Sequence, residues 1–376
     1  MCIRTLPNAA SMVPAASLTP TARPMRTLFA AFVALVFAVP SLAQVPTDMP
    51  QDPGAEDEET PYEAFTSRFQ RDEFRITSLI QVVPRIAFED TEGNQPRFDI
   101  PRARLGIRGN LDNGIGYGLQ AEFSNRVSLL DAIVTYGTSD VKASLGRQQT
   151  PYSAENLASD AALDFVDRAR VVSAVAPGRS IGAQLLATPG GGPVGIRAGL
   201  YNPTQTLAVD GTDLDVRDRG GVLLVGRVQS VLDVDGGSVT LAANAAYTTD
   251  DTSTELESPG ELDLGVDARA RLGRLLVAGE FLRGRIEEPF AASAPTGLDG
   301  GYVTLGYDVT PADRVLTRLD VIAVEDRDAS TLVLLGYERT LTRSAMIQAN
   351  LIIPVADAND GFDQPLQLTG KFQFAF

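Results

Sequence analysis

The chain has 376 residues, 44% of them hydrophobic, and its 32 basic and 48 acidic residues give a net charge of −16. Such an acidic chain lacks the basic surface that phosphate backbones require, so nucleic acid is excluded as a partner. The sequence has no histidine and one cysteine, Cys2. The commonest general base and metal ligand are therefore missing, as are thiolate zinc sites, and we predict no enzyme, cofactor or bound metal.

The first recognisable element is an export signal that begins at Met25. Arg26 precedes an apolar run from residue 28 to 39, and small residues follow up to Ala43. The run is shorter than the roughly 20 residues of a membrane-spanning helix, so it indicates a signal peptide cleaved after Ala43. Residues 1–43 are therefore predicted to be upstream residues and signal peptide, with translation starting at Met25.

Two further regions follow the signal peptide. Residues 44–70 are acidic and rich in proline, and they are too polar to bury a core, so we predict an extended arm rather than a domain. Residues 71–376 contain the regular pattern and are predicted to form a single β-barrel domain.

Apolar and polar residues alternate with a period of two from about Phe74 to Phe376. In the first segment, Arg75, Thr77, Gln81 and Arg85 share one face. The other face carries Phe74, Ile76, Ile80, Val82, Ile86 and Phe88. This alternation is typical of a strand with one apolar and one polar face. Sixteen segments of this kind can be counted along the chain.

The connections between these segments alternate between short and long. The short ones, such as 112–114 and 310–313, contain the Gly, Asn, Asp and Pro residues of tight turns. The long ones are more acidic and include 202–220, 249–261, 287–300 and 354–364. Short turns at one rim, long loops at the other and an even strand number are typical of outer-membrane barrels. The predicted fold class is all-β, a transmembrane antiparallel β-barrel of about 16 strands.

A soluble β-sandwich would show the same periodicity, with its apolar face turned inward instead of toward lipid. The strand number favours the barrel, because sixteen strands enclose an aqueous channel rather than a filled core. Two functions stay open on this evidence. One is a porin for passive diffusion, and the other is a barrel or sandwich that acts as a binding or adhesion protein without a conducting pore.

The last segment, LQLTGKFQFAF, carries an alternating aromatic ending. Its apolar face consists of Leu366, Leu368, Phe372, Phe374 and Phe376. A terminal phenylalanine preceded by alternating aromatics resembles the signal that the outer-membrane assembly machinery reads. Together with the signal peptide, it predicts a protein of the bacterial outer membrane, in contact with lipid and lipopolysaccharide.

Arginines dominate the polar faces of the predicted strands. Arg102, Arg104 and Arg108 share one face of the second strand, with same-face neighbours about 7 Å apart. Guanidinium groups at this spacing would attract passing anions. Further candidate lumen positions are Arg75, Arg85, Arg227, Arg269, Arg271, Arg314, Arg318 and Lys371, opposite Glu122, Asp263, Asp267 and Asp320. The alternative is a lumen of mixed ion pairs that merely stays hydrated.

Three stretches carry a resemblance to a known family. They are PRARLGIRGNLDNGIGYGLQAEFS, LLDAIVTYG and GRQQTPYSAENLASDAALDFVDRARVVSAVAPGRSIGAQL, in this order along the chain. An Arg-rich strand, a Gly-Arg motif followed by Pro-Tyr-Ser, and a loop with Pro-Gly-Arg are similar to the phosphate-selective porins O and P. The resemblance is closest over about 101–186 and is architectural beyond.

The resemblance implies a sixteen-stranded homotrimeric porin whose third long loop, here about 148–179, folds into the channel and narrows it. It also implies that the basic positions Arg147, Arg168, Arg170 and Arg179 line this constriction. After signal cleavage the only lysines are Lys142 and Lys371, so a lysine-based phosphate site is not carried over. The expected solutes are therefore small and anionic or neutral.

Carboxylate clusters offer one further possibility. Asp357, Asp360 and Asp363, and the run from Asp210 to Asp218, carry the oxygen ligands that calcium prefers. Their spacing matches no known calcium loop, so we interpret them as solvated loops.

Overall fold

The computed structural model describes residues 73–88, 95–203, 221–249, 261–286, 296–357 and 362–376. Within these ranges, sixteen strands form one antiparallel sheet that closes into a barrel where β1 pairs with β16. The predicted signal peptide (1–43) and acidic arm (44–70) lie outside the described residues and stay predictions. The predicted fold class and the count of sixteen strands are confirmed.

The strands follow one another around the barrel in chain order. The first eight are β1 (Arg75–Phe88), β2 (Gln95–Asn110), β3 (Ile115–Glu122), β4 (Ser128–Gly137), β5 (Val141–Gln149), β6 (Arg179–Ala187), β7 (Val194–Tyr201) and β8 (Leu223–Val234). The remaining eight are β9 (Gly237–Thr248), β10 (Glu261–Leu272), β11 (Leu275–Ile286), β12 (Thr296–Asp308), β13 (Asp313–Val324), β14 (Ala329–Thr342), β15 (Ala345–Ala356) and β16 (Leu366–Ala375).

Tight turns join every second pair of strands at one rim of the barrel. In the turn between β10 and β11, Gly273 has φ +57°, a left-handed conformation that glycine adopts without steric cost. Asn113 takes the same kind of conformation, with φ +64°, before β3. The strand ends that the longer connections join lie at the other rim.

The outward face of the barrel is apolar. Ile80 on β1, Leu145 on β5 and Phe372 on β16 are each about half exposed or more and point away from the lumen. Thr369 and Lys371 alternate with Phe372 and are buried on the inner side. The faces predicted for the first and last strands therefore agree with the structure.

The first and last strands are joined where β1 meets β16. The backbone N–H of Ser78 donates to the carbonyl of Phe376 at 2.8 Å, and the N–H of Phe376 donates back at 3.2 Å. Phe374 lies opposite Ile80, and its ring meets that of Phe376 edge-on with the centroids 5.9 Å apart. The terminal phenylalanine thus forms part of the seam that closes the barrel.

The inner wall is not uniformly polar, which differs from the predicted water-lined face. Leu276, Leu316, Ile322 and Leu332 share the inward side with Arg318 and are buried. They are apolar because the connection between β5 and β6 packs on them inside the barrel. No helix in the described ranges is both long and apolar enough to cross a membrane.

Candidate pore constriction

The connection between β5 and β6, residues 150–178, lies inside the barrel and is called the inner loop here. It contains two short helices, α1 (Ala154–Leu157) and α2 (Arg170–Val175), and a 3-10 turn at Asp160–Ala162. Ser153 begins α1, because its hydroxyl accepts a hydrogen bond from the backbone N–H of Asn156 at 3.1 Å.

Apolar contacts hold the inner loop against the barrel wall. From α2, Val171, Val172 and Val175 pack with inward side chains that include Leu282 and Ile322. A Cβ on Gly300 of β12 would lie 2.7 Å from Val171, so glycine is needed there for α2 to approach the wall. The fully buried Phe165 anchors the middle of the loop. It packs with Leu276, Leu316, Leu332, Leu334 and Ile352.

Arg170 ties α2 to the wall through several hydrogen bonds. Its Nε donates to Oδ1 of Asp320 at 2.9 Å, and its backbone N–H donates to Oδ2 at 3.0 Å. Its Nη1 donates to the hydroxyl of Ser330 at 2.7 Å. Because the side chain is buried and its donors are used, Arg170 anchors the loop and does not face the water of the channel.

A second anchor joins α1 to β13. Nη2 of Arg318 donates to Oε1 of Glu155 at 2.6 Å. The guanidinium lies over two rings, with its carbon 4.5 Å from the centroid of Phe165 and 4.4 Å from that of Tyr302. These are cation–π distances, so the buried charge is met by a carboxylate and by two aromatic faces.

Asp160 is the point where three arginines meet. Its carboxylate contacts Arg102 at 3.3 Å and also forms ion pairs with Arg104 and Arg168. Arg104 has a second partner in Glu122, at 2.8 Å. Burial alone would raise the pKa of the Asp160 carboxyl, but the three positive charges outweigh burial and hold that pKa far below its ordinary range.

Two more carboxylates of the inner loop reach arginines on the wall. Asp164 receives two hydrogen bonds from Arg269, at 2.7 and 3.0 Å. Burial opposes ionisation of Asp164, yet these contacts lower its pKa. Asp167 receives two from Arg85, at 2.7 and 2.9 Å. The loop therefore neutralises arginines of several strands.

The predicted pore-lining arginines fall into three groups in the structure. Most are bound in ion pairs, namely Arg102, Arg104, Arg168, Arg170, Arg179, Arg269 and Arg271. Arg108 faces inward without an ion pair among the described residues. Arg147 forms the third group, because it does not face the lumen.

The prediction that Arg147 lines the constriction disagrees with the pleat of β5. Arg147 lies on the same side as Leu145, and it pairs across strands with Ile181, which is also exposed outward. Its Nε donates to the carbonyl of Leu129 at 2.9 Å. Successive residues of a strand alternate between faces, so Gln148 points inward and Arg147 outward.

The inward face of β1–β7 carries an excess of unpaired positive charge. Its described carboxylates are all paired with arginines, and they are Asp99, Glu122 and Asp131. On these seven strands, four inward cations have no ion pair among the residues that the structure describes, and they are Arg75, Arg108, Lys142 and Arg197.

Sequence reasoning missed Arg197, although its alternation with Ile196 and Ala198 on β7 places it on the polar face. It also missed Glu155, Asp160 and Asp164, whose partners on the barrel wall lie far away in sequence. No local pattern indicates these long-range pairs.

The carboxylate clusters show no metal site within the described part of the chain, where no three acidic or cysteine side chains are grouped to hold an ion. Asp360 and the run from Asp210 to Asp218 lie outside the described residues.

Two solved porins share this architecture at low sequence identity. The anion-selective porin from Comamonas acidovorans is 15% identical, with a TM-score of 0.60 over 81% of this chain and 99% of that one. OprB of Pseudomonas putida is 13% identical, with a TM-score of 0.66 over 84% of this chain and 96% of that one. These similarities concern the fold.

The sequence comparisons are more specific. A curated protein of Caulobacter vibrioides, described as uncharacterized, is 36% identical over 77 residues, which are 20% of this chain and 16% of that protein. The model of the family described as "Phosphate-selective porin O and P" matches residues 74–321, which is more than half of the chain. The closed barrel and the inner loop are consistent with this family match. The chain belongs to the phosphate-selective porin O and P family and is a porin of the bacterial outer membrane.

Proposed function

We propose that this porin conducts small hydrophilic solutes passively and prefers anions. The observation that carries this proposal is the charge balance on the inward face of β1–β7. There the described carboxylates are paired, while Arg75, Arg108, Lys142 and Arg197 are not. Unpaired cations that line a water-filled passage lower the energy of an anion inside it and raise that of a cation.

The same geometry argues against a pore lined by a continuous arginine ladder. Arg104 and Arg170 are buried and hold carboxylates, so they stabilise the inner loop and add little net charge to the passage. The preference therefore depends on the few unpaired cations. It is weaker than the total number of arginines suggests.

The proposal concerns anions as a class rather than phosphate alone. Lys371 is buried under the inner loop, and its Nζ has no hydrogen-bond partner among the described residues. Lys142 lies near the rim of the short turns, away from Lys371. The proposal therefore includes no lysine-based phosphate site.

Reversal potentials in planar bilayers under a KCl gradient test the proposal. The wild-type channel is expected to be anion-selective, and the triple variant Arg75→Gln, Arg108→Gln, Arg197→Gln should lose most of that selectivity. Arg147→Gln is the matched control, because it removes a charge of the same kind from the outward face. A cation-selective wild-type channel would overturn the proposal, and so would equal effects of the triple variant and the control.

We further propose that the protein is not an enzyme, that it assembles as a homotrimer, and that it contacts lipopolysaccharide and the assembly machinery. Family membership supports the trimer. The seam between Phe376 and Ser78 supports a role of Phe372, Phe374 and Phe376 in assembly. Chemical cross-linking of the folded protein should give a trimer band. A monomer alone would contradict that part.

A further inference from the structure

Six carboxyl groups are buried in the part of the chain that the structure describes. Five of them bind an arginine, in the pairs Glu155–Arg318, Asp160–Arg104, Asp164–Arg269, Asp267–Arg227 and Asp320–Arg170. The sixth is Glu280 of β11, which is 1% exposed and forms no ion pair with a described residue. The negative charges of the other five are thus compensated, whereas that of an ionised Glu280 would not be.

The hydrogen bonds of Glu280 reach only one of its two oxygens. Its Oε1 accepts from the backbone N–H of Glu155 at 2.5 Å and from the hydroxyl of Tyr302 at 2.9 Å. Its Oε2 is buried and has no hydrogen-bond partner among the described residues. This arrangement fits a neutral acid, with Oε1 as the carbonyl oxygen and Oε2 as the hydroxyl. A buried hydroxyl without a partner costs much less free energy than a buried charge without one.

The charged groups around Glu280 oppose its ionisation. Asp267 stands directly opposite on β10, and like charges in such a cross-strand pair destabilise a sheet. Glu155 adds a second negative charge from the inner loop. The titratable groups around Glu280 on the packed elements are Tyr152 and Glu155 of the inner loop, Asp263 and Asp267 of β10, Tyr302 of β12 and Arg318 of β13.

The two cations of this region are already bound. Arg318 holds Glu155 at 2.6 Å, and Arg227 of β8 holds Asp267 at 2.5 Å. Neither pair leaves a positive charge for Glu280. A buried acid in this position lowers its free energy by keeping its proton.

We propose that Glu280 is a neutral carboxylic acid while the inner loop is docked, so that docking takes up one proton. When the loop leaves the wall, water reaches the carboxyl group, which then ionises as an ordinary glutamate does, near pH 4.3, roughly. Above that pH the undocked state binds fewer protons than the docked state. Docking therefore weakens as pH rises, by at most about tenfold per pH unit for one proton.

This proton uptake is independent of the ion selectivity of the channel. The ion pairs and apolar contacts of the inner loop keep the docked state in the majority at neutral pH, so the mean conductance does not report the effect. The rate at which the loop opens to a protease does, because cleavage depends on the small undocked fraction.

Infrared spectroscopy of the folded barrel at neutral pH tests the protonation state. A neutral carboxylic acid and a carboxylate absorb at well-separated frequencies, so the wild type should show the band of a neutral acid. Glu280→Gln should remove that band. Asp164→Asn is the matched control, because it removes a buried carboxylate that is paired with Arg269, and it should leave the band unchanged. A wild type without the band, or a band that Glu280→Gln leaves in place, overturns the proposal.

Limited proteolysis tests the coupling to the inner loop. Relative to an unstructured peptide with the same cleavage site, cleavage within the loop should rise about threefold to tenfold per pH unit between pH 5 and 7. Glu280→Gln should abolish this pH dependence, because an amide has no proton to release. Asp164→Asn should raise cleavage at each pH and keep the slope. Equal slopes in the wild type and Glu280→Gln would overturn the coupling. Heat-modifiable migration on a gel confirms that each variant is folded.

Discussion

Asp160→Asn is expected to loosen the inner loop and enlarge the pore. The substitution keeps the shape of the side chain and removes a charge shared by Arg102, Arg104 and Arg168. Breaking a buried ion pair costs about 3–5 kcal/mol when the partner is left without compensation. The size of the effect therefore depends on which of the three arginines is left without another group to compensate its charge.

The three arginines differ in the contacts that remain to them after the substitution. Arg104 retains Glu122 at 2.8 Å, and Arg102 is one-third exposed and can be rehydrated. Arg168 retains only the carbonyls of Glu155 and Ala158, at 3.1 and 2.9 Å, and it is largely buried. One charge is thus poorly compensated, so the lower limit of about 3 kcal/mol applies. This is roughly a hundredfold shift toward the undocked loop.

Single-channel recording measures this change directly. The Asp160→Asn channel should show a larger and noisier open-state current than the wild type, and stronger anion selectivity because three arginines lose a counter-charge. Asp167→Asn is the control, since Asp167 lies on the same loop but its side chain is half exposed, and its pair with Arg85 should contribute at most about 1 kcal/mol. Unchanged conductance and selectivity in Asp160→Asn, or equal changes in both variants, would refute the reasoning.

Three further predictions concern the same loop and the barrel seam. Phe165→Ala removes a fully buried ring that packs between the inner loop and the barrel wall, and it should weaken the docking of the loop by about 3–5 kcal/mol. The expected result is faster proteolysis within the loop while the barrel stays intact. The lowered pKa of Asp160 means that its stabilising contribution is present above the unfolded value of about 3.9 and is lost as pH falls through the lower folded value, so conductance should be constant from pH 8 to 5 and should change only in stronger acid. Deletion of Phe376 removes two hydrogen bonds to Ser78 and should reduce the fraction of heat-modifiable barrel, whereas Arg147→Gln should not.

Much of the barrel could be predicted from sequence because strand faces are a local property. Alternation with a period of two identified Ile80 as outward and Gln81 as inward without any knowledge of neighbouring strands. The same rule applied to β5 would have placed Arg147 outward with Leu145. The family resemblance placed Arg147 in the constriction instead, whereas the alternation of side chains along β5 places it on the outward face.

The constriction could not be predicted in the same way, because its contacts join distant parts of the chain. Asp160 meets Arg104, which lies 56 residues earlier, and Arg170 meets Asp320, which lies 150 residues later. Leu276 and Leu316 have the apolar character of lipid-facing residues, although they face the inner loop. The strands that carry Leu276 and Leu316 need apolar side chains on both faces, because one face contacts lipid and the other contacts the inner loop. This requirement becomes visible only in the closed barrel.

The chain as a whole is acidic, yet the inward face of β1–β7 carries unpaired positive charge. The two observations are compatible because carboxylates of the inner loop pair with arginines of the barrel wall. Glu155, Asp160, Asp164 and Asp167 are carried into the barrel by the loop, where they bind arginines of β1, β2, β10 and β13. Without the loop, these arginines would add positive charge to the wall. The loop therefore occupies part of the barrel interior and also neutralises part of the inward charge, while four cations on β1–β7 keep no ion pair among the described residues. It follows that substitutions in the loop should change selectivity as well as conductance, whereas a porin whose loop acted only as a steric plug would change conductance alone.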